Sequence, residues 1–413
     1  MSRLVAFVVS ASLMFLVSGH AQSAPASSSA FDWVWQTVDE KFYDTKLNGV
    51  DWAAMKGKYR ARVERAGSRD EQAAAINQML AELRTSHTRY YTPDTTEYFQ
   101  IVGLFLPANA GLGEKTAKAL TDGKPLYSGI GIYTTVEGGQ HYVRAVFEGL
   151  PAHRAGVLLG DRIVTVDGAP YHEIRSFEGK AGKPVSLVVE RAPGVSRTLP
   201  VVPVMLDGST MFVDAMSASV ELIRHDGKQI GYVHAWSYAG QQYQDILRSE
   251  LFFGRLKEAD AVVLDVRDGW GGADPSNLNL FTRRGLSWTV RERDGKTASY
   301  PSAWSKPVVL LTDHRSRSGK ELVAYAFKRG RVGTIVGERT GGAVLPGTIF
   351  ANDEGNVLYL ATADLVLDDG TRLEGVGVEP DIEVPLAVPF AQGKDSQKER
   401  AVSEAARLSR PGD

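Results

Sequence analysis

Residues 307–330, PVVLLTDHRSRSGKELVAYAFKRG, join an unbroken apolar run to a run of helical periodicity through a basic turn. The run Val308–Leu311 is short and continuous, the pattern of a strand buried on both faces. From Gly319 onward the apolar residues recur at helical spacing. A strand feeding straight into a helix is the repeating unit of α/β proteins. Two serines, Ser316 and Ser318, stand between strand and helix beside Asp313, His314, Arg315, Arg317 and Lys320. Ser318-Gly319-Lys320-Glu321 fits S-x-x-E, a capping box that satisfies orphan N–H groups at a helix start. A catalytic serine needs, in addition, a proton acceptor from elsewhere in the chain.

The same alternation extends over residues 213–388. QIGYVHAW, AVVLDVR, GTIVGER and VLYLATADL read as strands, and GQQYQDILRSELFFGRL as a helix. This stretch is the expected α/β core domain. Residues 125–205 differ, alternating β-branched runs with Gly and Asp turns as small β-rich units do. Residues 31–98 open with helical patterns. Phe31, Val34, Trp35, Val38 and Phe42 share one face, and a second helix follows a Ser68/Glu71 capping box. It runs out at Thr85-Ser86-His87-Thr88. Residues 99–124 read as a linker with a short helix, and residues 389–413 as a charged, peripheral tail.

The chain has 413 residues, two or three domains' worth at roughly 100–200 residues each. Its formal net charge of −2 supplies no basic field for nucleic acid. Arg3, the apolar run LVAFVVSASLMFLV and the small residues after it read as an export signal over residues 1–24, cleaved after Ala21 or Ala24. An uncleaved anchor is the alternative. No later segment is apolar enough to span a bilayer, so no stable membrane insertion is expected after cleavage. The absence of cysteine removes thiol catalysis, disulfides and cysteine–metal sites together. The eight histidines have no zinc-site spacing, so no metal is expected. Export without disulfides fits the bacterial envelope, periplasmic or secreted.

Two stretches carry further chemistry. SGIGI, with PAHRAGVLLGDRIVTVDG downstream, resembles a PDZ domain over about 80 residues. The resemblance implies a peptide-binding loop of Ser128, Gly129, Ile130, Gly131 and Ile132, whose N–H groups meet a terminal carboxylate while the isoleucines line the pocket. AVVLDVRDGWGGADPSN ends a buried strand at Asp265 and Arg267 and runs into Gly269, Gly271 and Gly272, where backbone N–H groups can approach a ligand. It has neither Walker lysine nor GxGxxG.

In order, the helical region, the PDZ-like unit, LDVRDGWGG, SRSGKE and VGERTGG resemble the tail-specific, or C-terminal processing, serine proteases. The wider group includes the tricorn protease core and interphotoreceptor retinoid-binding protein. The likeness covers roughly residues 31–388. It implies a mixed α/β core of spiral ββα units (ClpP/crotonase-like) with an N-terminal helical domain and an inserted PDZ domain. It also implies Ser318 as nucleophile, Gly272 and Gly319 as oxyanion-hole donors, polypeptides as substrates and no cofactor. Typical members activate the serine with a lysine whose position here is Ala343, which accepts no proton. The tricorn-like branch instead uses a Ser–His–Ser–Glu tetrad, which maps onto Ser318, His87, Ser86 and Glu374, the last in LEGVGVEPD. A catalytically inactive peptide- or hydrophobic-ligand-binding protein on the same scaffold is the rival. Arg315 and Arg317 depart from the small residues expected around this serine; they read as solvated charge or as partners of a substrate carboxylate.

Overall fold

The computed structural model describes residues 28–272, 274–282, 286–300 and 303–410. The export signal expected over residues 1–24 lies outside them. Among the described residues no helix is long and apolar enough to cross a membrane.

A six-stranded sheet organises the chain. Its strands run in the order Ile382–Glu383, Thr334–Gly337, Val308–Thr312, Ala261–Asp265, Lys228–His234 and Glu221–His225. All neighbours are parallel except the last pair. Ala261–Asp265 and Val308–Thr312 are buried at every position, which is why they read as continuous apolar runs. Helices Gln241–Phe252 and Gly319–Arg329 are crossovers between parallel neighbours. The loops at the carboxyl ends of these strands therefore meet along one edge, where ligands of open α/β sheets bind.

One face of the sheet is covered by a helix whose burial the sequence does not advertise. Expected as part of a peripheral tail, residues 389–410 are not peripheral, because Ser396–Leu408 lays Ala401, Val402, Ala405 and Ala406 on Ile230, Tyr232, Val263, Val309 and Val336. Its charged residues mask a narrow stripe of small apolar ones at spacings of one, four and five. Asp395 caps this helix by accepting from the Lys398 N–H at 2.9 Å. Asp395 also accepts from Arg267 Nη2 at 2.8 Å, and Arg267 grips Asp265 at 2.6 Å. Asp265 and Arg267 thus tie the last helix to the end of a central strand.

Helices Ser28–Lys41, Trp52–Arg65 and Arg69–Ala81 share a core with Leu358 and Leu360 of strand Val357–Ala361. Phe31, Val34, Val38 and Phe42 are all buried; Trp35 is half-buried and exchanges indole-to-carbonyl hydrogen bonds with Trp52. Ser68 caps the third helix by accepting from the Glu71 N–H, while the Glu71 carboxylate turns back to the Gly67 N–H. The strand Val357–Ala361 lies outside the main sheet. It pairs antiparallel with Arg89–Tyr91 and Gly347–Ala351, which draws the turn before Arg89 against the loop before Gly347.

The linker expected over residues 99–124 is largely helix. Thr96–Phe105 buries Tyr98, Phe99, Ile101 and Val102 in the main core, and Ala110–Thr116 follows. Its glycines suggested a tether, but Gly103 is needed for close packing: a Cβ there would lie 2.5 Å from the Gly208 carbonyl carbon. The β-rich unit is a five-stranded antiparallel sheet built from Ile132–Glu137, Gln140–Val146, Arg162–Val166, Val185–Ala192 and Val195–Val201, with its own core. Ile130 and Ile132, expected to line an open pocket, are buried in that core instead. Gly131 takes a positive φ of 78°, and the Leu150 side chain lies against it, 2.6 Å from where a Cβ would stand. Ser128 and Gly129 belong to strand Leu126–Gly129, paired with Val204–Asp207.

Candidate active site

The two serines of the basic turn have different fates. Ser316 is fully buried; its hydroxyl lies 3.0 Å from the Val266 carbonyl and 3.1 Å from Asp313 Oδ1, and it receives the Asp313 N–H. It is a strut. Ser318 sits at the start of helix Gly319–Arg329 with φ 62° and ψ −134°, and its side chain caps nothing. That backbone region is sparsely populated for a residue with a Cβ and costs roughly 1–3 kcal/mol. The capping box expected from S-x-x-E is therefore not formed here, although the same spacing does yield a serine cap at Ser68. Glu321 is instead buried beneath the loop of Thr340, Gly342 and Ala343. It accepts from the Thr340 hydroxyl at 2.6 Å and from the Gly342 and Ala343 N–H groups at 2.7 and 2.6 Å. Burial pushes its carboxyl pKa up, and these hydrogen bonds oppose the shift.

The Gly-rich turn presses on Ser318. A Cβ on Gly271 would stand 2.4 Å from Ser318 Cβ and 2.9 Å from the Gly319 nitrogen, so only glycine fits there. Gly272 has φ 85° and packs on Ala239. Among the described residues neither the Gly272 nor the Gly319 N–H makes a hydrogen bond, which leaves both available to an anion. Beneath the turn, the fully buried Lys320 donates to the carbonyls of Asp268 at 2.6 Å and Trp236 at 3.2 Å. Burial pushes its ammonium down to about 7. Asp268 also pairs with Arg144 from the β-rich unit, so that unit touches the turn directly. Sequence reasoning gave Glu321 only a capping role and left Lys320 and Arg144 without one. The first two lie in the quoted motif, whereas nothing local marks Arg144.

Three further residues meet across the chain. Ser86 donates its hydroxyl to Glu374 Oε2 at 2.9 Å and its N–H to Oε1 at 2.8 Å. His87 Nδ1 lies 3.2 Å from Ser86 Oγ. With the Ser86 hydroxyl proton given to Glu374, the neutral tautomer that completes the contact is the one protonated at His87 Nδ1. Its Nε2 then carries the free lone pair. Glu374 Oε2 also accepts from the Val344 and Leu345 N–H groups at 2.9 and 3.3 Å.

The loop 343–345 links this unit to Ser318, whose N–H donates to the Ala343 carbonyl at 2.7 Å. No hydrogen bond joins Ser318 Oγ to His87 among the described residues. The His87 backbone has φ 50°, and its ring meets Tyr359 edge-on at 5.0 Å. Burial pushes the imidazole down to about 4, and the Arg317 guanidinium adds to the depression. Arg317 itself lies over the Trp270 ring, 4.6 Å from its centroid. Among the described residues no group of three or more His, Cys, Asp or Glu could hold a metal ion.

Comparison with known proteins places this geometry in context. Residues 229–384 match Peptidase family S41, and residues 27–81 match the Tricorn protease C1 domain. A putative tricorn protease homolog 2 of Streptomyces coelicolor is 29% identical over 92% of this chain, which spans only 32% of that relative. The chloroplastic C-terminal processing peptidase of Tetradesmus obliquus is 26% identical over 89% of this chain and 80% of its own length. Among solved structures, the tricorn protease aligns over 93% of this chain and 37% of its own, at 21% identity and a TM-score of 0.54, a likeness of fold. The family match and the processing-peptidase relatives support a serine-type peptidase with a mixed α/β fold.

Proposed function

We propose that this chain is an exported serine endopeptidase of the tail-specific group that acts on polypeptides through a Ser318, His87, Ser86 and Glu374 tetrad. What supports the reading most is the hydrogen-bonded chain from Glu374 through Ser86 to His87, in a protein with alanine at the position of the usual lysine. In the reaction, Ser318 Oγ attacks the scissile carbonyl and His87 Nε2 takes its proton. The oxyanion settles on the Gly272 and Gly319 N–H groups, each such donor being worth about 3 kcal/mol. Imidazolium then returns the proton to the leaving amine, and water hydrolyses the acyl-enzyme by the same route in reverse. Ser86 holds the imidazole tautomer and passes the influence of Glu374 to it. The spiral ββα arrangement of the core belongs to the same proposal.

Residues 125–205 act in this reading as a PDZ module that receives peptide C-termini at Ser128–Ile132. The rival, a binding protein without catalysis, draws its support from the missing Ser318–His87 hydrogen bond. Such contacts are often loose before substrate arrives.

Covalent labelling of the purified chain by a fluorophosphonate, read by intact mass, decides between them. Label lost in Ser318→Ala and His87→Ala but kept in Ser316→Ala is the expected result. A folded wild-type protein that stays unlabelled over pH 5–9, with and without added peptide, would overturn the reading in favour of the rival.

A further inference from the structure

Arginines in the interior of this protein are matched by acids. Arg267 binds Asp265 and Asp395, and Arg144 binds Asp268. The two arginines flanking Ser316 are not. Arg317 is half-buried, and among the described residues it forms no ion pair and donates no hydrogen bond. Its guanidinium carbon lies over the Trp270 ring, 4.6 Å from the centroid, and the Trp270 indole N–H is anchored on Gln100 Oε1 at 3.0 Å. Arg315 is also half-buried, and its Nε is enclosed without a hydrogen-bond partner.

Three acids of the site are engaged elsewhere. Asp313 Oδ1 takes the Arg315 N–H at 3.0 Å, the Asp268 N–H at 3.4 Å and the Ser316 hydroxyl. Glu321 is filled by the 340–343 loop, and Glu374 by Ser86 and the 344–345 N–H groups. Glu97 acts on Arg315 only through space. A planar guanidinium with free donors, stacked on an aromatic face and partly withdrawn from water, is the arrangement that takes a carboxylate bidentately. The residue concerned immediately precedes the nucleophile, so its partner would sit within a residue or two of the scissile bond.

We infer that Arg317, with Arg315 beside it, is a specificity-determining cation that binds a carboxylate carried by the substrate next to the cleaved bond. The inference rests on Ser318 being the nucleophile. Two sources share that chemistry: an acidic side chain and the terminal carboxylate of a peptide.

The test uses the full mature chain and one peptide sequence in four forms, with Asp or Asn near the cleaved bond and a free or amidated C-terminus. Wild-type kcat/KM is expected to favour the carboxylate form by about 10- to 100-fold, the scale of a charge-assisted hydrogen bond lost from a partly buried site. Arg317→Gln is expected to shrink that ratio to about three-fold or less, and Arg317→Lys to retain part of it. A gap in the Asp/Asn pair identifies an acidic side chain; a gap in the free/amidated pair identifies the terminus. No gap in the wild type, or an undiminished one in a folded Arg317→Gln, overturns the inference.

Fluorescence anisotropy of the same peptides on Ser318→Ala separates recognition from chemistry. A wild type that takes the fluorophosphonate but shows no carboxylate preference sinks the inference and spares the nucleophile. An unlabelled wild type whose Ser318→Ala form still binds the carboxylate peptide more tightly than its neutral partner sinks the nucleophile, and leaves Arg317 a carboxylate-binding cation with no role in choosing a cleaved bond.

Discussion

The imidazole of His87 makes the most exacting prediction. It meets Ser86 Oγ, the edge of Tyr359, the Leu345 backbone and, through space, the Arg317 guanidinium. Burial first and Arg317 second hold its pKa at about 4, against 6.5 for a free imidazole. That displacement corresponds to roughly 3 kcal/mol against the imidazolium. A general base must be neutral to work, and kcat/KM reports the ionisation of the free enzyme. With a pKa of about 4, roughly nine-tenths of the enzyme is competent at pH 5; with 6.5, only about 3% is. The assay is kcat/KM for an uncharged fluorogenic peptide from pH 3.5 to 9, with circular dichroism at each pH to confirm folding. The expected acid limb is centred near pH 4. Arg317→Gln should move it upward but short of 6.5, because burial, the larger cause, remains. A wild-type limb centred between 6 and 7 and unmoved by Arg317→Gln would refute the reasoning. Stability follows the same linkage. The unfolded chain binds the His87 proton between pH 4 and 6.5 and the folded chain does not, so this group's contribution is present above 6.5 and is lost as pH falls to 4.

Three other substitutions test the remaining parts. Glu374→Gln sets an amide donor against one of the Ser86 or loop N–H groups and removes the charge behind imidazolium; kcat should fall by about 10²-fold or more with KM little changed, read by steady-state kinetics. Lys320→Met removes a buried ammonium that unfolding restores to its normal pKa. The rise in urea stability between pH 7 and 10.5 that this group contributes should disappear, and kcat should drop as the carbonyls of Trp236 and Asp268 lose their donor. Ala405→Asp places a carboxylate under the sheet and should cost about 3 kcal/mol or more by urea denaturation, whereas a truly peripheral tail would tolerate it.

The legible parts of the fold were those whose pattern is local. Buried parallel strands announced themselves as continuous apolar runs, and the Ser68 cap and the Phe31–Phe42 face followed from spacing alone. The misread parts depend on partners far along the chain. Helix Ser396–Leu408 looks solvated until a sheet face of Ile230, Val263 and Val309 is laid against its alanines. Gly103 looks like a linker residue until Gly208 is seen across from it. Ser68 and Ser318 show the limit most sharply, since both begin S-x-x-E. The difference lies in what the glutamate meets: Glu71 faces solvent and an open N–H, whereas Glu321 is pulled under the 340–343 loop. Only that second, non-local contact leaves the serine hydroxyl unspent.

The same loop serves the proposed tetrad, in which His87 takes the proton-accepting role of a lysine at the position of Ala343. Its backbone positions the other members: the Ala343 carbonyl accepts from the Ser318 N–H, and the Val344 and Leu345 N–H groups donate to Glu374. Nucleophile and acid are thereby referred to one three-residue stretch, which the small alanine allows to pass close to the serine. His87 reaches the site from the other side, carried by the pairing of Arg89–Tyr91 with Val357–Ala361. The proposed base thus comes from the first quarter of the chain and is held by a short antiparallel ladder. Disrupting this strand with Tyr90→Pro, which removes a buried ring and the N–H that Asn77 Oδ1 accepts at 2.8 Å, should abolish fluorophosphonate labelling to the extent of His87→Ala while Ser318, Gly271 and Glu321 stay as they are. If labelling survived in a folded Tyr90→Pro protein, the base would have to lie elsewhere, and the neutralised Lys320 beneath the Gly-rich turn would be the next residue to replace.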